Sequence, residues 1–321
     1  MKLRYIFKSI FDSLFIIGTV LLTLLSLAGY FGFFHKYLEL TSHFKLQYLI
    51  ISFCSFFFFL LKRHIWVFNL SLFCLLLNLY QIAPWYFPQV LASSSEIQGQ
   101  KIRVLQSNIN KHNHHYSQLF SLVREENPDL AVILEVSKTN AKKFEVLRST
   151  FPYSIFAQDG DIEGTLVYSK LPLRNASVKS IGEGRKSILA NLTIQDQTIS
   201  LITAHPSQTL GKFYYEERNR QLEAIADYVA KLKKPLLVGD FNVTMWSPYY
   251  KRFINTSKLR NTRRGFGILP TWPSYYPLLS IPIDHCFVRD DIKVLKIRIG
   301  RKVGSDHLPV ITDLLIPTKS S

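Results

Sequence analysis

The segment Leu236-Leu237-Val238-Gly239-Asp240-Phe241-Asn242 places polar side chains directly after a short apolar run. A short run rich in Leu and Val and bounded by a turn residue is typical of a buried β-strand. A carboxylate or amide at the exit of such a strand is held rigidly while facing solvent, which is where α/β proteins place reactive groups. Asp240 and Asn242 are therefore candidate functional residues.

The same arrangement recurs elsewhere in the chain, because Asn108, Glu135 and His205 each end or follow a comparable apolar run. Each residue alone is a weak signal. A lone Asn at the end of a strand is most often a turn former, and a lone Glu there is as often a solvated rim residue.

From residue 101 onward, short β-branched and apolar runs alternate with polar or helical stretches, which is typical of an α/β domain. The predicted strands are Ile102–Ser107, Leu130–Glu135, Gly164–Tyr168, Ser187–Ile194, Ile199–His205, Pro235–Asp240, Ile283–Val288 and Pro309–Leu315. Helices are predicted at His115–Glu126, Ser137–Ser149 and Phe213–Lys233, and a hairpin around Asp196-Gln197.

The N-terminal part differs in composition from the rest of the chain and is predicted to lie in lipid rather than in water. Residues 1–89 hold 7 basic and 2 acidic side chains, whereas residues 90–321 hold 32 and 21, a net charge of +11. Three nearly uncharged segments, Leu14–Phe34, Leu46–Leu61 and Ile65–Ala83, are predicted to be membrane helices. The second segment, at 16 residues, is just short of a full span, which leaves a re-entrant hairpin open.

The positive-inside rule predicts the orientation. Lys2, Arg4 and Lys8 precede the first segment, and Lys62-Arg63 joins the second to the third, so these clusters are predicted to be cytoplasmic. The chain is then a multi-pass protein of the inner or plasma membrane with its C-terminal domain on the extracytoplasmic side. A cleaved signal peptide in place of the first segment would leave that domain on the same side.

The predicted organisation is a membrane anchor at residues 1–89, a linker at 90–100 and a catalytic domain at 101–316.

The composition excludes several classes of protein. Hydrophobic residues make up 47% and charged residues 19% of the 321, which argues against a disordered protein. The three Cys residues, two of them in the apolar third, provide neither a disulfide framework nor a zinc site.

Several short motifs then carry a resemblance. In chain order they are Gln106–Asn110, Pro128-Asp129 with Leu134-Glu135, Gly164–Leu173, His205-Pro206, Gly239–Asn242, Thr271–Pro273, Ile283–His285 and Ser305–Pro309. Over about residues 101–316 the sequence resembles the endonuclease/exonuclease/phosphatase superfamily, whose members include deoxyribonuclease I-like enzymes. The motifs Gly239–Asn242 and Ser305–Pro309 are specific, while the others are weak singly. The resemblance implies a four-layer α/β sandwich, in which two packed mixed β-sheets are flanked by helices.

The resemblance also implies catalytic roles for His205, Asp240, Asn242, Asp284 and His307. Asp240 is the expected general base for the attacking water, and the amide of Asn242 orients the phosphate or the nucleophile. Asp284 is the expected partner of His307, and the two histidines contact the phosphate. A phosphodiester repels hydroxide, so such a site must neutralise charge, position water in line and assist the leaving oxygen.

A divalent cation, Mg²⁺ or Mn²⁺, is expected in this site. Glu135 is the implied principal ligand, with Asn108 and Asp306 nearby, and hard oxygen ligands of this kind suit Mg²⁺. Two positions depart from the family pattern. His205 has no clear acidic partner, since Glu163 is the only obvious candidate and is better explained as a solvated loop residue. Asn110 replaces a residue that is acidic in some relatives.

The substrate is less constrained by the sequence. Arg218, Arg263, Arg264 and Trp272 are the candidate substrate-binding residues, because basic and aromatic side chains suit a polyanion, although a solvated basic face explains such charges as well. Nucleic acid is the favoured partner and phospholipid the alternative, with the bilayer bound through the N-terminal helices. Three functions remain: a metal-dependent phosphodiesterase or nuclease, a sphingomyelinase-like or inositol-phosphatase-like hydrolase, and a non-catalytic phosphate-binding module.

Overall fold

The computed structural model describes residues 2–87, 98–113, 115–160, 163–182, 184–208 and 211–318, with the backbone alone for 2–9 and 212. Most of the predicted linker, residues 90–97, and the side chains of Lys2, Arg4 and Lys8 lie outside the described residues. The chain forms two compact units, residues 1–84 with 246–248, and residues 85–245 with 249–321.

The first unit is helical. Its helices are α1 (Lys2–Ala28), α2 (Lys36–Thr41), α3 (Lys45–Lys62) and α4 (Ile65–Ile82). Three stretches are long and apolar enough to cross a membrane, namely Ile10–Phe31, Lys36–Lys62 and Ile65–Trp85. The second stretch has 27 residues and is longer than the predicted segment, because α2 and a 3₁₀ turn at Ser42–Phe44 precede α3. Its length therefore no longer favours a re-entrant hairpin.

Polar contacts join these helices to one another. Ser26 Oγ donates to Asn78 Oδ1 at 2.9 Å, and both side chains are buried. Lys62 Nζ lies 2.7 Å from Asp12 Oδ1. Hydrogen bonds between apolar helices are a recurrent means of association where a polar group would otherwise face lipid.

The second unit contains two six-stranded sheets. The strands of the first sheet are β1 (Gly99–Asn108), β2 (Leu130–Leu134), β3 (Tyr153–Asp159), β4 (Glu163–Ser169), β11 (Lys293–Ile299) and β12 (Val310–Pro317). Those of the second sheet are β5 (Arg174–Ser180), β6 (Lys186–Ile194), β7 (Gln197–Ala204), β8 (Pro235–Asp240), β9 (Arg260–Asn261) and β10 (Asp284–Val288). The first sheet has the order β11-β12-β1-β2-β4-β3 and the second the order β5-β6-β7-β8-β10-β9.

Each sheet has a parallel pair at its centre. In the first sheet β1 runs parallel to β2, with Asn108 opposite Leu134. In the second sheet β7 runs parallel to β8, with Ala204 opposite Gly239. Every other strand pairing is antiparallel. The carboxyl ends of a parallel pair lie at one edge, so each sheet presents two strand exits side by side.

The inner faces of the two sheets form the main core. Val104, Val132 and Leu314 of the first sheet belong to the same buried cluster as Leu201 and Val238 of the second. Helices cover the outer faces: α5 (Ser117–Glu126), α6 (Lys138–Ala141), α7 (Lys212–Ala230) and α8 (Pro248–Ser257), with 3₁₀ turns at Lys142–Ser149 and Pro277–Leu279. The four-layer sandwich expected from the resemblance is confirmed.

All eight predicted strands are present, and the four that the sequence missed are β3, β5, β9 and β11. These four are the edge strands of the two sheets. Six of the seven residues of β5 are exposed, so no apolar pattern marks the strand. The predicted hairpin is β6–β7, whose turn residues Gln195 and Asp196 both have positive φ, as a two-residue hairpin loop requires.

We expect Gly239→Ala to lower the free energy of unfolding by at least about 2 kcal/mol, because a Cβ at this position forces the backbone apart. That Cβ would lie 1.7 Å from the carbonyl oxygen of Ala204 on the paired strand. Thermal unfolding of the full chain in detergent measures the effect. Gly18→Ala is the control, since its added methyl meets nothing within 4 Å. Equal stability of the two variants would contradict this account of the β7–β8 pairing.

Candidate active site

The exits of the two parallel pairs bring Asn108, Glu135, His205 and Asp240 together. Asn108 Nδ2 donates to Glu135 Oε1 at 2.9 Å and to Asp240 Oδ2 at 3.1 Å, so one amide links the two sheets. His205 Nε2 lies 3.7 Å from Glu135 Oε1 and 3.8 Å from Asp240 Oδ2. The four candidates that end separate strands in the sequence therefore form one cluster.

A second pair joins this cluster from β10 and the loop before β12. His307 Nδ1 and Asp284 Oδ2 are 2.9 Å apart, and both side chains are buried. The other ring nitrogen, His307 Nε2, lies 3.8 Å from Asp240 Oδ2. Gln106 Nε2 donates to Asp284 Oδ1 at 3.1 Å, which fixes the carboxylate from the opposite sheet.

Asp306 is connected to the cluster through Asn110. Asn110 Nδ2 donates to Asp306 Oδ1 at 2.9 Å, and its backbone N–H donates to Asn108 Oδ1 at 3.0 Å. Trp272 Nε1 donates to Asp306 Oδ2 at 3.0 Å. The amide at position 110 thus provides a donor where a second carboxylate would repel Asp306.

Several site residues adopt a left-handed backbone conformation. Glu135 has φ of 62°, Asn242 of 50° and Asn110 of 59°. Asn tolerates this region, whereas Glu seldom adopts it, and such strain persists where surrounding contacts enforce it. For Glu135 those contacts include the backbone N–H of Lys111, which donates to Glu135 Oε2 at 3.0 Å.

Burial and neighbouring charge shift the pKa values of the site residues, raising those of Asp240 and His307 and lowering that of His205. Burial, followed by the repulsion of Asp284, raises the pKa of Asp240 from 3.8 to about 7. For His307, burial opposes the charged form, but the attraction of Asp284, reinforced by Asp240, raises the pKa from 6.5 to about 10. Burial, with Arg185 nearby, lowers the pKa of His205 well below its usual value. Thus His307 is an imidazolium at neutral pH and His205 is neutral.

Arg185 is a site residue that the sequence patterns do not reveal. Its Nη1 lies 2.9 Å from His205 Nδ1, and the guanidinium also forms an ion pair with Glu163. Glu163, the candidate acidic partner of His205, binds Lys111 Nζ at 2.7 Å instead. The predicted hairpin contains the information needed to find Arg185. Leu189 pairs with Ile202, and continuing this register along the two strands places residues 185 and 186 beside His205.

The structure corrects two of the four candidate substrate contacts. Arg263 is fully buried, and its Nη1 lies 3.1 Å from His285 Nδ1. Arg218 is also fully buried, and its Nη1 donates to the carbonyl of Asn242 at 3.1 Å. Neither side chain is exposed to solvent, so neither can contact a substrate at the surface, although Arg218 supports the loop that carries Asn242.

The other two candidates are accessible to different degrees. Arg264 is exposed, whereas Trp272 is half-buried with its ring 6.4 Å from the ring of His307. Asn242 donates its Nδ2 to the carbonyl of Pro206 at 3.0 Å, so its amide is already held beside the His205 loop. The substrate-binding role of Trp272 and Arg264 stays a prediction.

The donor chemistry fits a hard divalent cation. Glu135, Asn108 and Asp306 offer carboxylate and amide oxygens of the kind that Mg²⁺ and Mn²⁺ bind. Among the described residues, a compact group of acidic and histidine ligand atoms is Asp240, Asp284 and His307, all within 4.8 Å of one another. A histidine must be neutral to bind a metal, and His307 is held protonated by its carboxylates. Glu135, Asn108 and Asp306 therefore stay the predicted metal ligands.

These observations define a buried acid–base cluster at the joined edges of a two-sheet sandwich. Residues 105–307 match the model of the endonuclease/exonuclease/phosphatase family, and the chain belongs to this family. Members of the family are usually metal-dependent phosphoester hydrolases. No curated protein matches the sequence significantly.

Solved structures with the same fold include an endonuclease/exonuclease/phosphatase from Beutenbergia cavernae. It is 20% identical, with a TM-score of 0.59, and the alignment covers 68% of this chain and 72% of that one. A D. rerio TDP2 complexed with single strand DNA product is 14% identical, with a TM-score of 0.58, and 67% and 99% of the two chains are covered. An endonuclease/exonuclease/phosphatase from Bacteroides vulgatus is 18% identical, with a TM-score of 0.55 and coverage of 67% and 98%.

We expect a strong energetic coupling between Asp284 and His307. Removing one member of a buried pair leaves an uncompensated charge, so Asp284→Asn and His307→Gln should each cost about 3 kcal/mol of unfolding free energy. The double variant should cost less than the sum by at least about 1 kcal/mol. Denaturant unfolding of the full chain in detergent, with chelator present, measures the cycle.

The same cycle has a predicted pH dependence. The pKa of His307 is raised from 6.5 to about 10, so the stabilisation is complete below pH 6.5 and disappears as the pH rises through about 10. The coupling should therefore persist at neutral pH and shrink above about pH 10. Additive effects of the two substitutions at neutral pH would show that the pair is not formed.

Proposed function

We propose that the chain is a membrane-anchored, divalent-metal-dependent phosphodiesterase that hydrolyses nucleic acid by in-line attack of an activated water. The observation that supports this proposal most directly is the contrast between two neighbouring groups. Asp240 has a pKa of about 7, and His307, whose Nε2 lies 3.8 Å from it, has a pKa of about 10. A base poised near neutral pH beside a fixed cation is the arrangement that water attack on a phosphate anion needs.

In the proposed mechanism Asp240 accepts the proton of the attacking water. Its Oδ1 accepts a hydrogen bond from the backbone N–H of Asn242 at 2.9 Å, which fixes the carboxylate plane. His307, held by Asp284, carries positive charge toward the phosphate oxygens. His205 is neutral and donates a hydrogen bond, and the amide of Asn242 orients the phosphate or the water.

Glu135, Asn108 and Asp306 would hold Mg²⁺ or Mn²⁺, which when bound neutralises phosphate charge and polarises the ester. Two fixed cations border this position. Arg185 contacts His205, and Lys111 shares Glu163 with Arg185. We propose that both side chains attract the anionic substrate, with Glu163 as their counterion when substrate is absent.

The preference for nucleic acid rests on charge and on fold. Residues 90–321 have a net charge of +11, which favours a polyanionic substrate. One protein with this fold, the D. rerio TDP2, is seen with a single strand DNA product. The proposed organisation is an anchor at residues 1–89, a linker at 90–100 and a catalytic domain at 101–316, with the N-terminus cytoplasmic and the catalytic domain extracytoplasmic.

A second candidate function is hydrolysis of a phospholipid headgroup. The observation that favours it is an exposed apolar loop beside the site, in which the exposed fractions of Tyr275, Tyr276, Leu278 and Leu279 are 56%, 65%, 85% and 55%. The base of the loop is tied to the site, because the backbone N–H of Ser274 donates to the carbonyl of Asp306 at 2.7 Å. Exposed apolar side chains of this kind suit contact with a bilayer.

We expect the full chain in detergent to nick supercoiled plasmid with Mg²⁺ or Mn²⁺ and to stop when a chelator is added. Asp240→Asn removes the proposed base and Glu135→Gln the proposed principal metal ligand, so each should lower the rate at least about a hundredfold. Gel electrophoresis of the plasmid gives the rates.

The matched control is Asp196→Asn, the same chemical change at an exposed hairpin turn, which should leave nicking unchanged. A folded chain that fails to nick plasmid but releases headgroups from phospholipid vesicles would replace the first candidate function with the second. A folded chain with neither activity would support the non-catalytic module.

A further inference from the structure

Away from the clustered acid–base residues, a lysine-lined groove lies between the second sheet and the C-terminal half of α7. A cavity of about 510 Å³ is bordered by Lys179 of β5 and by Lys231, Lys233 and Lys234 after α7. A second cavity of about 280 Å³ shares Lys179, Lys231 and Tyr228 with the first. The two cavities therefore form one continuous depression, called here the lysine groove.

The lysine groove has an excess of positive charge. Lys179, Lys231 and Lys233 are exposed, and their ammonium groups form no hydrogen bond or ion pair with any residue that the structure describes. Lys234 Nζ is neutralised by Asp291 Oδ2 at 3.1 Å. Among the residues that the structure describes, the larger cavity is bordered by no carboxylate and the smaller one by Asp227 alone. Three uncompensated ammonium groups around one depression favour an anionic ligand.

The groove leads to the catalytic cluster along α7. Gln221 of this helix accepts a hydrogen bond through Oε1 from the backbone N–H of Ser207, two residues past His205, at 2.8 Å. Ala224, Tyr228 and Lys231 follow on the same face of the helix and border the groove. At 1.5 Å per residue, the ten residues from Gln221 to Lys231 span about 15 Å.

The opposite wall of the groove also leads to the cluster. Ser180, Ile181 and Gly182 border the smaller cavity, and Arg185, three positions further along the sequence, contacts His205. Gly182 has φ of 73°, and a Cβ there would lie 2.6 Å from Ala224 Cβ, so the loop is packed closely on α7. Both walls of the groove are thus continuous with groups beside His205.

We propose that the lysine groove binds the single strand of a nucleic acid substrate on one side of the phosphate that is hydrolysed. The inference rests on the proposed function and adds a place for the substrate beyond the reacting group. The phosphates of a strand are anions that the exposed lysines attract, and the ring of Tyr228 gives a base a surface on which to stack. The cavities are the size of sites that hold one small ligand, which suits a few nucleotides of a single strand and not a duplex.

The test uses the full chain in detergent and a fluorescently labelled single strand of DNA about twelve nucleotides long, with chelator present so that no hydrolysis occurs. The groove variant carries Lys179→Gln, Lys231→Gln and Lys233→Gln. The control variant carries Lys138→Gln, Lys142→Gln and Lys296→Gln, which removes the same charge from exposed positions on the elements of the other sheet. Fluorescence anisotropy gives the dissociation constant of each.

We expect the groove variant to bind the strand about tenfold more weakly than the control variant. The slope of log affinity against log salt should be shallower by about 2 in the groove variant, since each lost phosphate contact on a single strand removes about 0.7. Equal affinity and equal salt slopes for the two variants would overturn the proposal.

Hydrolysis of a small chromogenic phosphodiester, with Mg²⁺ or Mn²⁺ added, separates the failure of the groove from the failure of the proposed function. This reporter is too short to reach the groove, so both triple variants should hydrolyse it at the rate of the original chain. If the original chain leaves the reporter and the plasmid intact, the proposed function fails. If it hydrolyses both while the triple variants bind the strand equally, the groove proposal alone fails.

Discussion

The parallel pairing at the centre of each sheet is the constraint on which the site depends. Ala204 faces Gly239 so closely that no side chain fits between them, and Asn108 faces Leu134 in the other sheet. Parallel strands end at the same edge, so the residues that follow these strands have fixed neighbours. Two such pairs packed face to face bring four strand exits to one place, and an amide from one sheet bonds a carboxylate of the other.

This arrangement concentrates charge in the interior at a cost in stability. Asp240, Asp284 and His307 are each at most 5% exposed, and buried ions are stable only when they are paired and hydrogen-bonded. The partners come from both sheets, as with Gln106, which donates to Asp284. The same burial that costs stability raises the pKa of Asp240 to about 7, so the property useful for catalysis and the destabilisation have one physical origin.

The sequence predicted the central strands and the residues at their exits, because buried strands are uniformly apolar and the polar residue after each is conspicuous. It missed the four edge strands. Six of the seven side chains of β5 are exposed, so no apolar pattern marks that strand. Arg263 was assigned to substrate since a basic cluster in sequence does not reveal burial, and only tertiary packing shows its guanidinium against His285. Identifying Arg185 as a site residue requires the register of β6 with β7, and that register is set by the geometry of the turn and not by composition. The link between Asp284 and His307 came from family resemblance, as no local pattern connects residues so far apart in the chain.

We propose that the cluster at the joined strand exits directs a water molecule onto phosphorus. Hydrolysis of a nucleic acid strand in water labelled with heavy oxygen, followed by mass spectrometry of the products, tests it directly. Water attack on phosphorus would leave one labelled oxygen in the product phosphate, and we expect no label in the product of an Asp240→Asn reaction beyond the uncatalysed background. Label in the sugar hydroxyl, or label-free phosphate from an active enzyme, would contradict water attack on phosphorus at this site.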